Sequence, residues 1–247
     1  MSASAQRLPI AVGTADILAF LDRVLPGPPL RVLEAGCGRG ELAAGLLARG
    51  YEVTALDADP AAVEAARAAG VPAVHADFLE GPRGVRDAVL FTRSLHHIGD
   101  LERAAELAAA ACAPGGLVVV DEFARERADA ATAAFFYDLR TVLAASQVLA
   151  APEPPAAAGP LERWELEYGS LREHRLHTGA AIVDALGRRL HVELVESCPY
   201  VYRHLAQWLE PSERGAGVAG AILSVERERL ARGELQPLGM RIVARHR

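Results

Sequence analysis

A strand that runs into a glycine-rich turn and straight on into a helix constrains this chain more than any other feature. The segment is Arg31-Val-Leu-Glu-Ala-Gly-Cys-Gly-Arg-Gly40. It reads as an apolar strand over 30–34, the turn Gly36-x-Gly38-x-Gly40, and a helix over 40–49. Glycines at such a turn let the backbone approach a ligand closely, and a helix N-terminus offers free N–H groups to it. From here the chain alternates. Strands are predicted over 52–56, 72–75, 88–92 and 117–121, with helices over 60–69 and 101–113 between them. Strands alternating with short helices imply a parallel sheet covered by helices on both faces. A capped helix over 14–25, closed by the breaker Pro26-Gly-Pro-Pro29, precedes the first strand.

The alternation lapses after Glu122. Residues 125–150 read as a long helical stretch and 151–160 as a proline- and alanine-rich loop. Residues 161–177 mix Trp164, Tyr168, His174 and His177 with charges. A helix over 180–186, a strand over 191–197, a helix over 212–231 and a strand over 239–245 complete the chain. The reading is one α/β domain over 1–247, with a mostly parallel seven-stranded sheet and a helical cap insertion at 124–178.

Composition excludes several classes. No apolar run approaches the roughly 20 residues of a membrane span, and residues 1–9 lack the basic-then-apolar pattern of a signal peptide. A cytoplasmic location is expected. Cys37, Cys112 and Cys198 are far apart, with no CxxC or Cys/His spacing, so neither a disulfide framework nor a metal site is expected. A net charge of −6 argues against broad capture of nucleic acid. All 26 basic residues are Arg, a sign of genome base composition.

The glycine turn departs from the dinucleotide fingerprint. GxGxxG would place its last glycine at position 41, which is Glu41. Glu34 also stands just before the turn, where a pyrophosphate would meet negative charge; a carboxylate there suits a ligand with an ammonium and a sulfonium. Asp57, in Ala55-Leu-Asp57-Ala58-Asp59-Pro60, lies at the tip of the second strand, where a carboxylate accepts both ribose hydroxyls of a nucleoside. Asp59 reads as the N-cap of the helix that begins at Pro60. After the third strand, His75-Ala-Asp77-Phe78 offers a carboxylate for an adenine amino group, and Phe78 a backbone N–H and an apolar wall.

As an ordered set over about 30–122, these motifs resemble the class I S-adenosylmethionine-dependent methyltransferases, in their small-molecule branch. Val32–Gly40 is similar to that family's first motif, Asp57 to its ribose-binding acid and Asp77-Phe78 to its adenine-binding pair. Phe91-Thr-Arg-Ser-Leu-His-His-Ile98 and Ala113-Pro-Gly-Gly-Leu-Val-Val-Val120 resemble its fourth-strand segment and the turn and strand that follow. A tail from Glu226 to Ala244 resembles one found in some of its members. The resemblance implies a Rossmann-like fold and binding of S-adenosyl-L-methionine, with S-adenosyl-L-homocysteine as product. The cofactor residues it implies are Glu34, Gly36, Gly38, Gly40, Asp57, Ala58, Asp77, Phe78 and Arg93.

Methyl transfer from a sulfonium is an in-line displacement that releases a neutral thioether, so a base is needed only where the acceptor has a proton to lose. His97 is the first choice for that base or for positioning the acceptor, with His96 facing the opposite way. Glu122, at the end of the fifth strand, either binds a cationic acceptor, orients a histidine or enters the next helix. Trp164, Tyr168, His174, His177 and Tyr200 are expected to line an acceptor pocket. The expected partner is a small-molecule acceptor, in a monomer or homodimer. Two alternatives stand beside it: a methyltransferase acting on RNA or protein, and a non-catalytic regulatory protein that binds S-adenosylmethionine.

Overall fold

The structure, a computed structural model, describes residues 8–81, 84–169 and 176–247. The chain divides into two compact units. One comprises Asp16–Phe123, His174–Glu196 and Met240–Arg247; the other comprises Met1–Ala15, Ala124–Glu173 and Ser197–Gly239. The segment expected as an insertion thus falls largely in a unit that also draws on the N-terminus and on residues after β6 (His191–Cys198).

The first unit is built on the sheet. Its strands are β1 (Arg31–Ala35), β2 (Glu52–Asp57), β3 (Ala73–His75), β4 (Arg86–Thr92), β5 (Cys112–Phe123), β6 and β7 (Gly239–Arg245). They lie in the order β3-β2-β1-β4-β5-β7-β6. The β3-β2, β2-β1, β1-β4 and β4-β5 pairs are parallel, so the sheet is Rossmann-like as well as mostly parallel. Strands buried on both faces need near-continuous apolar runs, and Val32-Leu33, Val89-Leu90-Phe91 and Val118-Val119-Val120 supply them.

One face packs on the helices α1 (Leu8–Val24), α2 (Glu41–Leu47) and α3 (Pro60–Ala68). Phe20, Leu21, Ala43, Leu46 and Ala66 join Val32, Ala55 and Leu90 there in one buried cluster. The alternate residues Leu33, Val89 and Phe91 are equally buried and point to the opposite face, where Phe91 meets the edge of Phe78 at 5.0 Å. Helices α4 (Leu101–Ala111) and α7 (Gly179–Arg189) pack together, and α4 contacts β4 and β5. Connections run outward in opposite directions from β1 and β4. Such a reversal opens a crevice beyond the carboxyl ends of the strands.

The second unit holds α5 (Ala130–Ala145), α6 (Pro160–Trp164), α8 (Val201–Ala206) and α9 (Glu213–Ala231). Phe136 on α5 is ringed by Trp164, Tyr168 and His204 at 5.3, 6.0 and 5.6 Å. Trp164, Tyr168 and Tyr200 are buried side chains of this unit, and His174 lies outside the described residues.

Three boundaries differ most from expectation. α1 begins at Leu8 rather than Thr14, and Thr14, inside the helix, donates its hydroxyl back to the Ile10 carbonyl instead of capping. The stretch over 125–150 holds a short 3-10 turn, Arg125–Arg127, and then α5, which Asp129 caps through the Thr132 N–H at 2.8 Å. β5 begins at Cys112, five residues early, as a bulge opposite Arg86 to Ala88 extends its pairing with β4. No described helix is long and apolar enough to cross a membrane.

Candidate cofactor and acceptor site

Register places the site. Ala35 stands opposite both Leu56 and Phe91, Asp57 opposite His75, and Thr92 opposite Asp121. The ends of five strands therefore share one edge of the sheet, and the predicted cofactor residues, with His97 and Glu122, lie at or just beyond it.

Gly36, Gly38 and Gly40 all take positive φ, at 76°, 54° and 82°. Their surroundings separate them. A Cβ on Gly36 would fall 2.3 Å from the Ser94 Cβ, whereas one on Gly38 meets nothing within 4 Å. Gly36 is thus required by packing, and Gly38 lines open space. The Gly38 N–H donates to Asp57 Oδ2 at 2.7 Å, and the Asp59 N–H donates to Oδ1 at 2.9 Å. Cys37, between the glycines, is buried, and burial pushes its thiol up to about 12.

Glu34 is buried at the end of β1, 1% exposed. Its Oε1 accepts from the Thr92 hydroxyl at 3.3 Å, while Oε2 has no hydrogen-bond partner. Burial, with Glu41 and Asp57 nearby, raises its carboxyl to about 8. An orphaned buried carboxyl oxygen beside an open glycine turn fits a ligand carrying an ammonium group.

The remaining residues predicted to hold the cofactor divide. Ala58 is exposed, and its carbonyl accepts from His75 Nε2 at 3.1 Å. Asp77 caps the 3-10 turn Phe78–Glu80, its Oδ1 taking the Leu79 N–H at 2.8 Å, and Phe78 is buried against Phe91. Arg93 holds a left-handed backbone, φ 57°, with its N–H on the Asp121 carbonyl at 2.8 Å. Asp59 caps α3 through the Ala61 N–H.

The 3-10 turn Leu95–His97 follows β4. Its two histidines part company, His96 buried and His97 exposed, with ring centroids 4.0 Å apart. Glu122, fully buried, takes the N–H groups of Leu95 and His96 on Oε1, at 2.7 and 3.2 Å, and contacts His96 Nδ1 through Oε2. His177 also reaches the turn, its N–H donating to the His96 carbonyl at 3.1 Å and its Nε2 to the Ile98 carbonyl at 2.8 Å. Sequence reading missed Ser94 and Thr92. Ser94 ties the turn to β1 by donating to the Ala35 carbonyl at 2.6 Å, and nothing in a lone serine signals that role. Among the described residues no three His, Cys, Asp or Glu side chains form a metal-ion cluster.

Residues 12–179 match the family described as a methyltransferase domain. A methyltransferase of Mycobacterium tuberculosis is 39% identical over 111 residues, which cover 42% of this chain and 56% of that protein. A ubiquinone biosynthesis O-methyltransferase of Methylocella silvestris is 37% identical over 107 residues, covering 39% of this chain and 42% of its own length. The chain thus spans about half the length of the curated relatives it matches. Among solved structures, an S-adenosylmethionine-dependent methyltransferase from Mesorhizobium loti superposes with a TM-score of 0.58 at 20% identity, over 92% of this chain and 96% of that one. At that identity the likeness is one of fold.

Proposed function

The chain belongs to the methyltransferase-domain family, and from that premise we propose that it transfers a methyl group from S-adenosylmethionine to a small-molecule acceptor by in-line displacement. The observation that carries the proposal is the buried Glu34 carboxyl, one oxygen unpartnered, beside a glycine turn that Asp57 holds open at Gly38. Bound S-adenosylmethionine supplies an electrophilic methyl group on a sulfonium whose departure needs no proton. The chain's residues bind and orient. Glu34 takes the ammonium, and Gly36, Gly38 and Gly40 let the backbone pass close. Asp57 takes the ribose hydroxyls on the lone pairs its two backbone bonds leave unused. Ala58, Asp77 and Phe78 flank the adenine, and Arg93 meets the methionine carboxylate. His97 and Glu122 belong to the acceptor side, Glu122 by holding the turn that carries both histidines. Much of the rate enhancement then comes from holding acceptor and methyl group in line.

The acidic net charge and the absence of an Asn/Asp-Pro-Pro-Tyr segment after β4 favour a small acceptor over a nucleic-acid amino group. Calorimetry with S-adenosylmethionine, S-adenosylhomocysteine and NAD tests the cofactor. Binding of the first two and loss of both in Asp57→Ala are expected, and tight NAD binding with no response to the others overturns the proposal. A screen of phenols, amines and carboxylates, read by product mass, tests the acceptor. Activity on RNA alone would transfer the proposal to a macromolecular substrate.

A further inference from the structure

Cofactor binding leaves one buried pair at this sheet edge without a task. The His96 and Glu122 side chains are 8% and 0% exposed and meet through Nδ1 and Oε2. Glu122 is surrounded by donors: Leu95 and His96 N–H on Oε1, and the Phe123 N–H on Oε2 at 3.2 Å. A carboxyl group that accepts on both oxygens sets Nδ1 as the donor of the pair and leaves the lone pair on Nε2. No described residue hydrogen-bonds Nε2. If Glu122 served only to tie β5 to the turn, its backbone bonds would suffice. They give no reason for a histidine whose second nitrogen is left open.

Position supports a role in the reaction. Ser94, two residues before His96, fills the space beside Gly36 and bonds the end of β1, so the turn that carries His96 is packed on the glycine turn. The titratable groups on this turn are Glu122 from β5, His97 beside the ring and His177 on the backbone.

With methyl transfer as its premise, we infer that His96 Nε2 takes the acceptor's proton, that Glu122 is the positioning residue that fixes its tautomer, and that the acceptor is a hydroxyl of phenolic acidity. The hydroxyl proton passes to Nε2. The oxygen's electron pair forms the new oxygen–carbon bond, and the carbon–sulfur pair stays on the departing thioether. The imidazolium that results lies against the Glu122 carboxylate, an arrangement that stabilises it. A phenol is within about four pKa units of imidazole, close enough for general-base catalysis, and an aliphatic alcohol is far weaker. An ammonium acceptor would want a carboxylate of its own, and both Glu122 oxygens are already engaged.

Glu122→Gln tests this sharply. The Leu95 and His96 N–H groups hold the amide oxygen at the Oε1 position, so the NH2 replaces Oε2. It then donates to Nδ1 and moves the imidazole proton to Nε2. With catechol as acceptor at about pH 8, kcat should fall about 10²–10⁴-fold in Glu122→Gln and His96→Gln. With 4-nitrophenol, ionised without help at that pH, the fall should stay under about tenfold. Wild type should show an acid limb in its pH–rate profile that His96→Gln lacks. Long-range proton–nitrogen NMR should show the His96 proton on Nδ1 in wild type and on Nε2 in Glu122→Gln. Calorimetric affinity for S-adenosylhomocysteine, unchanged within about twofold, controls for folding.

The inference is overturned by a wild-type Nε2–H tautomer, by equal losses with both phenols, by full catechol activity in His96→Gln, or by a wild type that binds cofactor yet methylates neither phenol. Failure of the methyl-transfer reading looks different: wild type then binds neither S-adenosylmethionine nor S-adenosylhomocysteine.

Discussion

The backbone N–H of Gly38 donates to Asp57 at 2.7 Å, so one carboxylate at the tip of β2 holds open the glycine turn that follows β1. Its other oxygen takes the Asp59 N–H at the start of α3. Asp57 is therefore a scaffold as well as the proposed ribose ligand, and its removal should be felt twice. Asp57→Ala should abolish calorimetric binding of S-adenosylhomocysteine and cost about 1–3 kcal/mol in chemical denaturation, through two unpaired N–H groups. Asp57→Asn, able to accept from only one of them, should fall between. Wild-type affinity in Asp57→Ala would remove the ribose role.

Two glycines of that turn should respond in opposite ways. Gly36→Ala drives a methyl group to 2.3 Å from the Ser94 Cβ at a backbone φ of 76°. Overpacking and left-handed strain together should lower stability by about 2–4 kcal/mol. Gly38→Ala meets no atom within 4 Å and should cost only the strain, about 1 kcal/mol. Its methyl group instead enters the space assigned to the cofactor, so affinity should drop with little change in melting temperature. Equal melting temperatures in the two variants would refute this division of labour.

How far the sequence could be read depended on where each determinant lies. β1 and β4 were legible because strands buried on both faces must be apolar throughout, as Val32-Leu33 and Val89-Leu90-Phe91 are. The glycine turn was legible because its backbone demand is written in residue type. α8 was not: its six residues carry no cap of their own, and the Tyr200, Val201 and Tyr202 N–H groups are taken instead by Glu226 of α9. A cap supplied from another element leaves no local pattern. The choice between His96 and His97 was hidden for the same reason. Both sit in one 3-10 turn, and Glu122 on a different strand decides which is buried.

Arg93 offers a test of strain held for function. A non-glycine residue at φ 57° costs about 1–2 kcal/mol unless something compensates. Arg93→Gly removes the strain and the guanidinium together. Stability should rise by up to about 1 kcal/mol, the strain relief being partly offset by glycine's greater freedom in the unfolded chain. Affinity for S-adenosylmethionine should fall about tenfold if the guanidinium meets the cofactor carboxylate. A variant both less stable and unchanged in affinity would contradict the assignment.

Glu34 ties stability to pH. Its carboxyl rises from 4.5 to about 8 on folding, chiefly because burial disfavours the charged form. Below about pH 4.5 both folded and unfolded chains carry the proton, and the group costs nothing. Between about pH 4.5 and 8 the folded chain holds a proton that the unfolded chain has released, so stability falls as pH rises through this window. Above about pH 8 the penalty is constant, on the order of 5 kcal/mol. Glu34→Gln carries no such penalty, so the cofactor-free variant should overtake wild type in urea denaturation as pH is raised to 8. The ligand reverses the sign. An ammonium beside Oε2 favours the carboxylate, so S-adenosylmethionine binding below about pH 8 should expel a proton from wild type. Calorimetry in buffers of different ionisation enthalpy measures that proton directly. Glu34→Gln should release none and bind about 10–100-fold more weakly, the worth of a charge-assisted hydrogen bond. Binding without proton release from wild type, at a pH where Glu34 is protonated, would mean that the ammonium lies elsewhere.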